Sequence, residues 1–160
     1  MSQAIGTQQV PRLEETSMNV ATILKLKGRD VVTAAADTPL LEIAKLLQQH
    51  GIGCVVISAG DGKVAGIVSE RDVVRAIGQT GTKALRDPVN AYMTMSVVTA
   101  RESDTIDRLM AEMTAHRFRH MPVTERGRLV GLVSIGDVVK MRIAEAEMEA
   151  AAMREYITTG

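Results

Sequence analysis

A single cysteine, Cys54, rules out an internal disulfide and any zinc site built on several thiolates. That usage fits a reducing compartment, and the expected location is the cytoplasm. There is no tryptophan, and Tyr92, Phe118 and Tyr156 are the whole aromatic set. Nineteen basic residues balance nineteen acidic ones, so the chain has no overall basic field. Without that field or aromatic platforms for bases, nucleic acid is not an expected partner. Long apolar runs are missing too: Gly53-Cys54-Val55-Val56-Ile57 is far shorter than the roughly 20 residues a membrane span needs, and no membrane association is expected. The N-terminus lacks a charged region followed by an apolar one, which argues against a secretory signal.

What is present is a globular composition, 46% hydrophobic and 24% charged, with enough apolar residues for a real core. Residues 1–18 are polar, contain Pro11 and show no sustained periodicity, so they read as a mobile leader. Beyond them the chain repeats itself. Val31-Val32-Thr33-Ala34 recurs as Val97-Val98-Thr99-Ala100, and His50 recurs as His116, both at a shift of 66. The shift then falls to 65: Gly62 matches Gly127, Gly66 matches Gly131, Val68-Ser69 matches Val133-Ser134, and Asp72-Val73-Val74 matches Asp137-Val138-Val139. One residue lost between the two blocks is what a surface turn tolerates.

Each copy reads as β-α-β-β-α, giving an α/β (α+β) fold of two pseudosymmetric repeats. In the first, Val31 to Ala34 form a β-branched strand, and Asp37-Thr38-Pro39 supplies an N-cap signal with proline at the first helical position. Leu40, Ile43, Ala44 and Leu47 then share a helix face, and Gly51 and Gly53 stop it. Strands at Cys54–Ile57 and Val64–Ser69 flank the hairpin turn Gly60-Asp61-Gly62, and a second helix starts near Ser69. The second copy predicts a strand at Val97–Thr99, a helix over Thr105–His116, strands at Met121–Thr124 and Arg128–Ser134, and a helix from Ile135. That last helix runs long, with an apolar stripe through Val138, Met141, Ala144, Met148, Ala151 and Tyr156 and a wet face at Glu145, Glu147 and Glu149. The expected division is 19–79 and 89–142 for the repeats, 80–88 for a linker and 143–160 for a helical extension.

The sharpest motif is Gly66-Ile67-Val68-Ser69-Glu70-Arg71-Asp72, echoed by Gly131-Leu132-Val133-Ser134-Ile135-Gly136-Asp137. Serine at the end of a strand with aspartate three residues on is first of all a capping box. Duplicated at equivalent strand-to-helix junctions, it also suits a nucleotide: the helix start attracts an anion, and a carboxylate there can accept hydrogen bonds from a ribose diol.

The repeat order, these junctions and Arg119-His120-Met121-Pro122-Val123 resemble the CBS domain family over roughly residues 20–142. Paired copies in that family form a Bateman module, which binds AMP, ATP, NAD(H) or S-adenosylmethionine and regulates another activity. The resemblance implies composite sites. Thr33, Gly53 and Cys54 would face Ser134 and Asp137, while Thr99, Arg119 and Met121 would face Ser69 and Asp72 in the cleft that also holds Arg71; Ile52, His120, Pro122 and Ile135 complete the expected nucleotide-binding set. The aspartates would hold ribose hydroxyls, the serines would sit beside ribose and phosphate, and the threonines would approach adenine. Arg71 has no counterpart in the second junction, so its cleft is expected to take the more anionic ligand.

His50, His116 and His120 make no metal set with one cysteine and no acidic cluster at ligand spacing; His50 and His116 are expected as exposed helix-end residues. Cys54 opens an apolar strand and is expected as a small buried hydrophobe. Three functions compete: a nucleotide-binding regulatory module acting on an unknown effector protein, a ligand-independent dimerisation module, and an inosine-monophosphate-dehydrogenase-like enzyme. A catalytic barrel takes about 250 residues, so no enzyme is expected. The module is expected to be a homodimer formed through its exposed helices.

Overall fold

The computed structural model describes residues 18–159. The expected leader lies outside the described residues except for Met18. The elements run α1 (Val20–Lys27), β1 (Thr33–Ala35), α2 (Leu40–His50), β2 (Cys54–Ser58), β3 (Val64–Ser69), α3 (Glu70–Thr80), two short 3-10 turns at Thr82–Arg86 and Val89–Ala91, α4 (Ile106–His116), β4 (His120–Glu125), β5 (Arg128–Ser134) and α5 (Ile135–Thr159).

In the first copy β1 pairs parallel with β2, and β2 pairs antiparallel with β3. Val55, Ile57 and Val68 point from this sheet into a core shared with Leu40, Ile43 and Leu47 of α2. Gly51 ends α2 in the left-handed conformation, φ 60°, and the hairpin turn runs through Gly60, Asp61 and Gly62 with φ of 85°, 55° and 73°. Pro39 differs from its expected place. It is the N-cap residue itself and offers no side-chain cap. The linker does the capping instead, with the Asp87 carbonyl accepting from Leu40 N–H at 2.9 Å; next to it, Val89 N–H donates to the Thr38 carbonyl at 2.8 Å.

The second copy keeps the β4–β5 hairpin, but the strand expected at Val97–Thr99 is reduced to one bridge between Ala100 and Val123. The Arg101 N–H donates to Asp104 Oδ2 at 2.7 Å and the Glu102 N–H to Glu125 Oε1 at 2.9 Å. Side chains thus take the donors just beyond the bridge at Ala100, and the pairing goes no further in that direction.

α1 was not foreseen, and it crosses the molecule. Asn19 caps it by accepting from Thr22 N–H, and the Val20 and Ala21 N–H groups donate to the carbonyls of Asp104 and Glu102. Val20, Ile23 and Leu24 are buried in the second copy's core with Leu109, Met121 and Val133. The segment before the second copy returns the exchange. Val89 is buried in the first core, and Thr94 makes two backbone hydrogen bonds with Ile67 at 3.0 and 2.9 Å. Each copy is therefore covered by the stretch that leads into the other. The repeated glycines sit under these covers: a Cβ on Gly66 would lie 2.6 Å from Met93 Sδ, and one on Gly131 would lie 2.6 Å from Leu24 Cδ2.

α5 is anchored by Val138 and Met141 and then leaves the core. Met148, Met153, Tyr156 and Ile157 are all more than half exposed. Glu145 is not on a wet face as expected. It accepts from the Met18 N–H at 3.2 Å and pairs with Arg142.

Candidate functional site

The strand-to-helix junctions are built as capping boxes. At α3 the Ser69 Oγ accepts from Asp72 N–H at 3.3 Å, while Asp72 Oδ2 accepts from Ser69 N–H at 2.8 Å and from its hydroxyl at 3.0 Å. The Glu70 N–H donates to the Gly53 carbonyl at 3.0 Å, so the helix start offers fewer free donors than the motif alone suggests. Asp72 Oδ1 lies 3.6 Å from Arg75 Nη1. The structural reading of the motif is realised, and Oδ1 is the carboxylate oxygen the cap leaves unused.

Beside this junction lies a cleft of about 690 Å³ between the two copies. Of the residues expected to bind nucleotide, Gly53, Cys54, Ser69, Arg71, Asp72, Arg119 and His120 line it. Sequence reasoning missed Val97, Val98, Ile67 and Phe118, which give it an apolar wall, and Arg75 and Arg117, which add charge. Four guanidinium groups, Arg71, Arg75, Arg117 and Arg119, stand against the two carboxylates of Glu70 and Asp72. In a chain of zero net charge this is a local excess of positive charge, and guanidinium forks match phosphate oxygens.

Arg117 holds a conformation that arginine rarely adopts. It ends α4 with φ 57°, at the position equivalent to Gly51 of α2 with φ 60°. A left-handed residue with a Cβ costs about 1 kcal/mol, and such strain collects at functional sites. Arg117 is one of the residues that line the cleft.

Other expected residues lie elsewhere. Met121 is fully buried in the second core and Pro122 is buried next to it, so neither side chain reaches the cleft. Alternation along β4 puts Met121 and Val123 on the core face. Thr33 is exposed, Ile52 packs against the first core, and Thr99 is half-buried; none of the three lines the cleft. Ile135 borders a smaller groove with Arg71, Arg117, Phe118 and Arg119.

The second junction differs. Ser134 N–H donates to Asp137 Oδ2 at 2.9 Å, repeating the capping bond, but that oxygen also accepts from Lys27 Nζ at 2.7 Å. Burial would raise the Asp137 carboxyl, but the Lys27 ammonium and the Ser134 N–H outweigh it and hold it below the ordinary value. Gly53 and Cys54, expected to face this junction, line the first cleft instead.

His120 contacts the place where a Cβ on Gly53 would sit, at 3.1 Å. Burial and then the Lys27 charge hold its imidazole below the usual range, which favours the neutral ring. Cys54 is buried, and its thiol is pushed up to about 12, so it behaves as a small apolar residue rather than a nucleophile. His50 and His116 are exposed, the latter stacked on Phe118 with ring centroids 5.8 Å apart. Among the described residues no cluster of His, Cys, Asp or Glu could hold a metal, and no helix is long and apolar enough to cross a membrane.

Comparison with known proteins gives this geometry a family. The CBS domain model matches twice, over residues 25–79 and 89–143. A mitochondrial CBS domain-containing protein of Arabidopsis thaliana, CBSX3, is 31% identical over 163 residues, covering 95% of this chain and 79% of that protein. An inosine-5'-monophosphate dehydrogenase of Methanocaldococcus jannaschii is 29% identical over 115 residues, covering 71% of this chain but 22% of the enzyme. Among solved structures, the CBS-domain containing protein ATU1752 from Agrobacterium tumefaciens matches with TM-score 0.75 and 48% identity, covering 78% of this chain and 92% of that one. The CBS domain pair of protein MJ0100, in complex with 5'-methylthioadenosine and S-adenosyl-L-methionine, matches with TM-score 0.72 and 26% identity over 81% and 98% of the chains. A CBS domain protein from Pyrobaculum aerophilum complexed with AMP matches with TM-score 0.68 and 28% identity over 75% and 89%. Two matched domains in tandem, spanning more than half of the sequence, show that this chain belongs to the CBS domain family.

Proposed function

We propose that the chain is a non-catalytic sensor that binds a phosphate-bearing adenosine nucleotide, AMP in the first instance, in the cleft beside Ser69 and Asp72. The observation that carries this reading is the pairing of four arginines with an apolar wall in one open cleft. Val97 and Val98 suit the faces of a purine, and Arg71, Arg117 and Arg119 suit a phosphate. The outer oxygen of Asp72 suits a ribose hydroxyl. The AMP found in the Pyrobaculum aerophilum relative and the S-adenosyl-L-methionine and methylthioadenosine found with MJ0100 support an adenosine ligand. Charge favours the phosphate-bearing member of that group, including ATP and NADH as competitors of AMP. Ligand is bound and not turned over: the buried thiol of Cys54 is no nucleophile, and the signal passes to an effector protein through a change of shape.

A thermal-shift series with AMP, ADP, ATP, NAD, NADH and S-adenosylmethionine tests this. A ligand that binds only the folded state raises the midpoint. The phosphate-bearing nucleotides are expected to raise it, and Asp72→Ala to reduce the response. No shift with any of the six would overturn the reading and leave a dimerisation module as the function.

A further inference from the structure

The two copies are related by sequence, yet their junctions are bonded differently, and the difference is a side chain from α1. In the first copy the Ile67 carbonyl accepts from the Thr94 backbone N–H at 2.9 Å. The equivalent carbonyl in the second copy, Leu132, accepts from the Lys27 ammonium at the same distance. That ammonium also bonds Asp137 Oδ2 at 2.7 Å, the counterpart of the Asp72 oxygen that serves the cap of α3.

We propose that Lys27 is a built-in occupant of the second cleft, holding Asp137 against nucleotide, so that the module takes one nucleotide per chain. The proposal rests on the nucleotide reading above. Four observations support it. Lys27 is tied at two points, to the Leu132 carbonyl and to the Asp137 carboxylate. Its helix is fixed by Val20, Ile23 and Leu24 in the second core, so the ammonium is delivered by a rigid element. Position 93, which lies at the same shift of 66 from Lys27, is a methionine that cannot pair with Asp72. The second junction also carries Ile135-Gly136 where the first carries Glu70-Arg71, so it supplies no arginine of its own. Lys27 therefore makes an ancestral pair of sites unequal, with one open to ligand and one closed from within.

Calorimetric titration of AMP into wild type, Lys27→Met and Lys27→Ala is the test, with stoichiometry as the readout. Wild type is expected to bind one AMP per chain, and each variant two, with the affinity of the first site unchanged. Adding Arg71→Ala and Arg119→Ala to the Lys27→Met background is expected to remove the first site and leave the second. Two AMP per wild-type chain, or one per chain in both variants, would overturn the role of Lys27 while leaving nucleotide binding intact. No heat in any of these proteins would overturn the nucleotide reading, and the role of Lys27 with it. Far-UV circular dichroism of each variant separates lost binding from lost fold.

Discussion

Gly131 lies directly under Leu24: a Cβ on the glycine would stand 2.6 Å from one methyl of the leucine and 2.8 Å from the other. Leu24 belongs to α1, which precedes the first copy, and Gly131 to β5 of the second. The contact is therefore one of the pins that hold the crossed lead-ins in place.

Gly131→Ala is expected to destabilise the fold by about 1–3 kcal/mol through overpacking. Leu24→Ala is expected to cost about 2–5 kcal/mol through its cavity. The two should not add, because shortening Leu24 makes room for the alanine methyl. Urea unfolding of both single variants and the double variant measures the coupling. Simple additivity would contradict the packing of α1 on β5.

Arg117 gives a second expectation. Arg117→Gly relieves its left-handed conformation and should stabilise the chain by about 1 kcal/mol. The same change removes one of four guanidinium groups from the cleft and should weaken AMP binding. Stability and affinity moving in opposite directions would support a functional arginine; a gain in stability with unchanged affinity would make it a structural accident.

The pH dependence follows from Asp137 and His120. The folded-state pKa of Asp137 is depressed, so the stability it lends is full above the ordinary carboxylate value and is lost as the pH falls through the folded value. His120 is depressed below 6.5, so on acidification the unfolded chain takes up that proton first, and stability already declines below that pH. Urea midpoints should therefore fall in two stages on acidification. Lys27→Met should flatten the carboxylate stage and His120→Gln the upper one. Parallel curves for wild type and Lys27→Met through the carboxylate range would show that the pair adds nothing to stability.

The exposed end of α5 bears on assembly. Met148, Met153, Tyr156 and Ile157 extend the apolar stripe past the point where Met141 leaves the core. We expect a homodimer that uses this surface, with Met148→Glu and Tyr156→Glu together giving a monomer by light scattering. A monomeric wild type at micromolar concentration, or a dimer unaffected by both changes, would locate assembly elsewhere or remove it.

Much of this architecture could be read from the sequence because it is local. The duplicated Ser69-x-x-Asp72 and Ser134-x-x-Asp137 boxes, the Gly60-Asp61-Gly62 turn and the three-and-four spacing of α2 all encode their structures within a few residues. α1 has local signals as well. Asn19, the Val20, Ile23, Leu24 spacing and Gly28 are a helix cap, an apolar face and a stop, but eight residues are too few to stand out beside a polar leader. Met121 could have been assigned inward from the alternation of β4, which the family motif obscured.

The rest depends on contacts remote in the chain. Lys27 and Asp137 are 110 residues apart, and no local pattern announces that one answers the other. The capping of α2 by Asp87 and the end of the Ala100 pairing at Asp104 and Glu125 are likewise settled by which donor finds which acceptor in the folded state. The apolar wall at Val97 and Val98 likewise depends on where the fold brings the lead-in of the second copy beside the first junction.

Calorimetric titration of AMP into wild type and the Arg71→Ala, Arg119→Ala double variant tests the central claim most directly. The account predicts saturable binding to the folded wild type and at least a tenfold loss in the double variant, roughly the contribution of one charge-assisted hydrogen bond. Equal affinity in the two proteins, or no binding to the wild type, would contradict it.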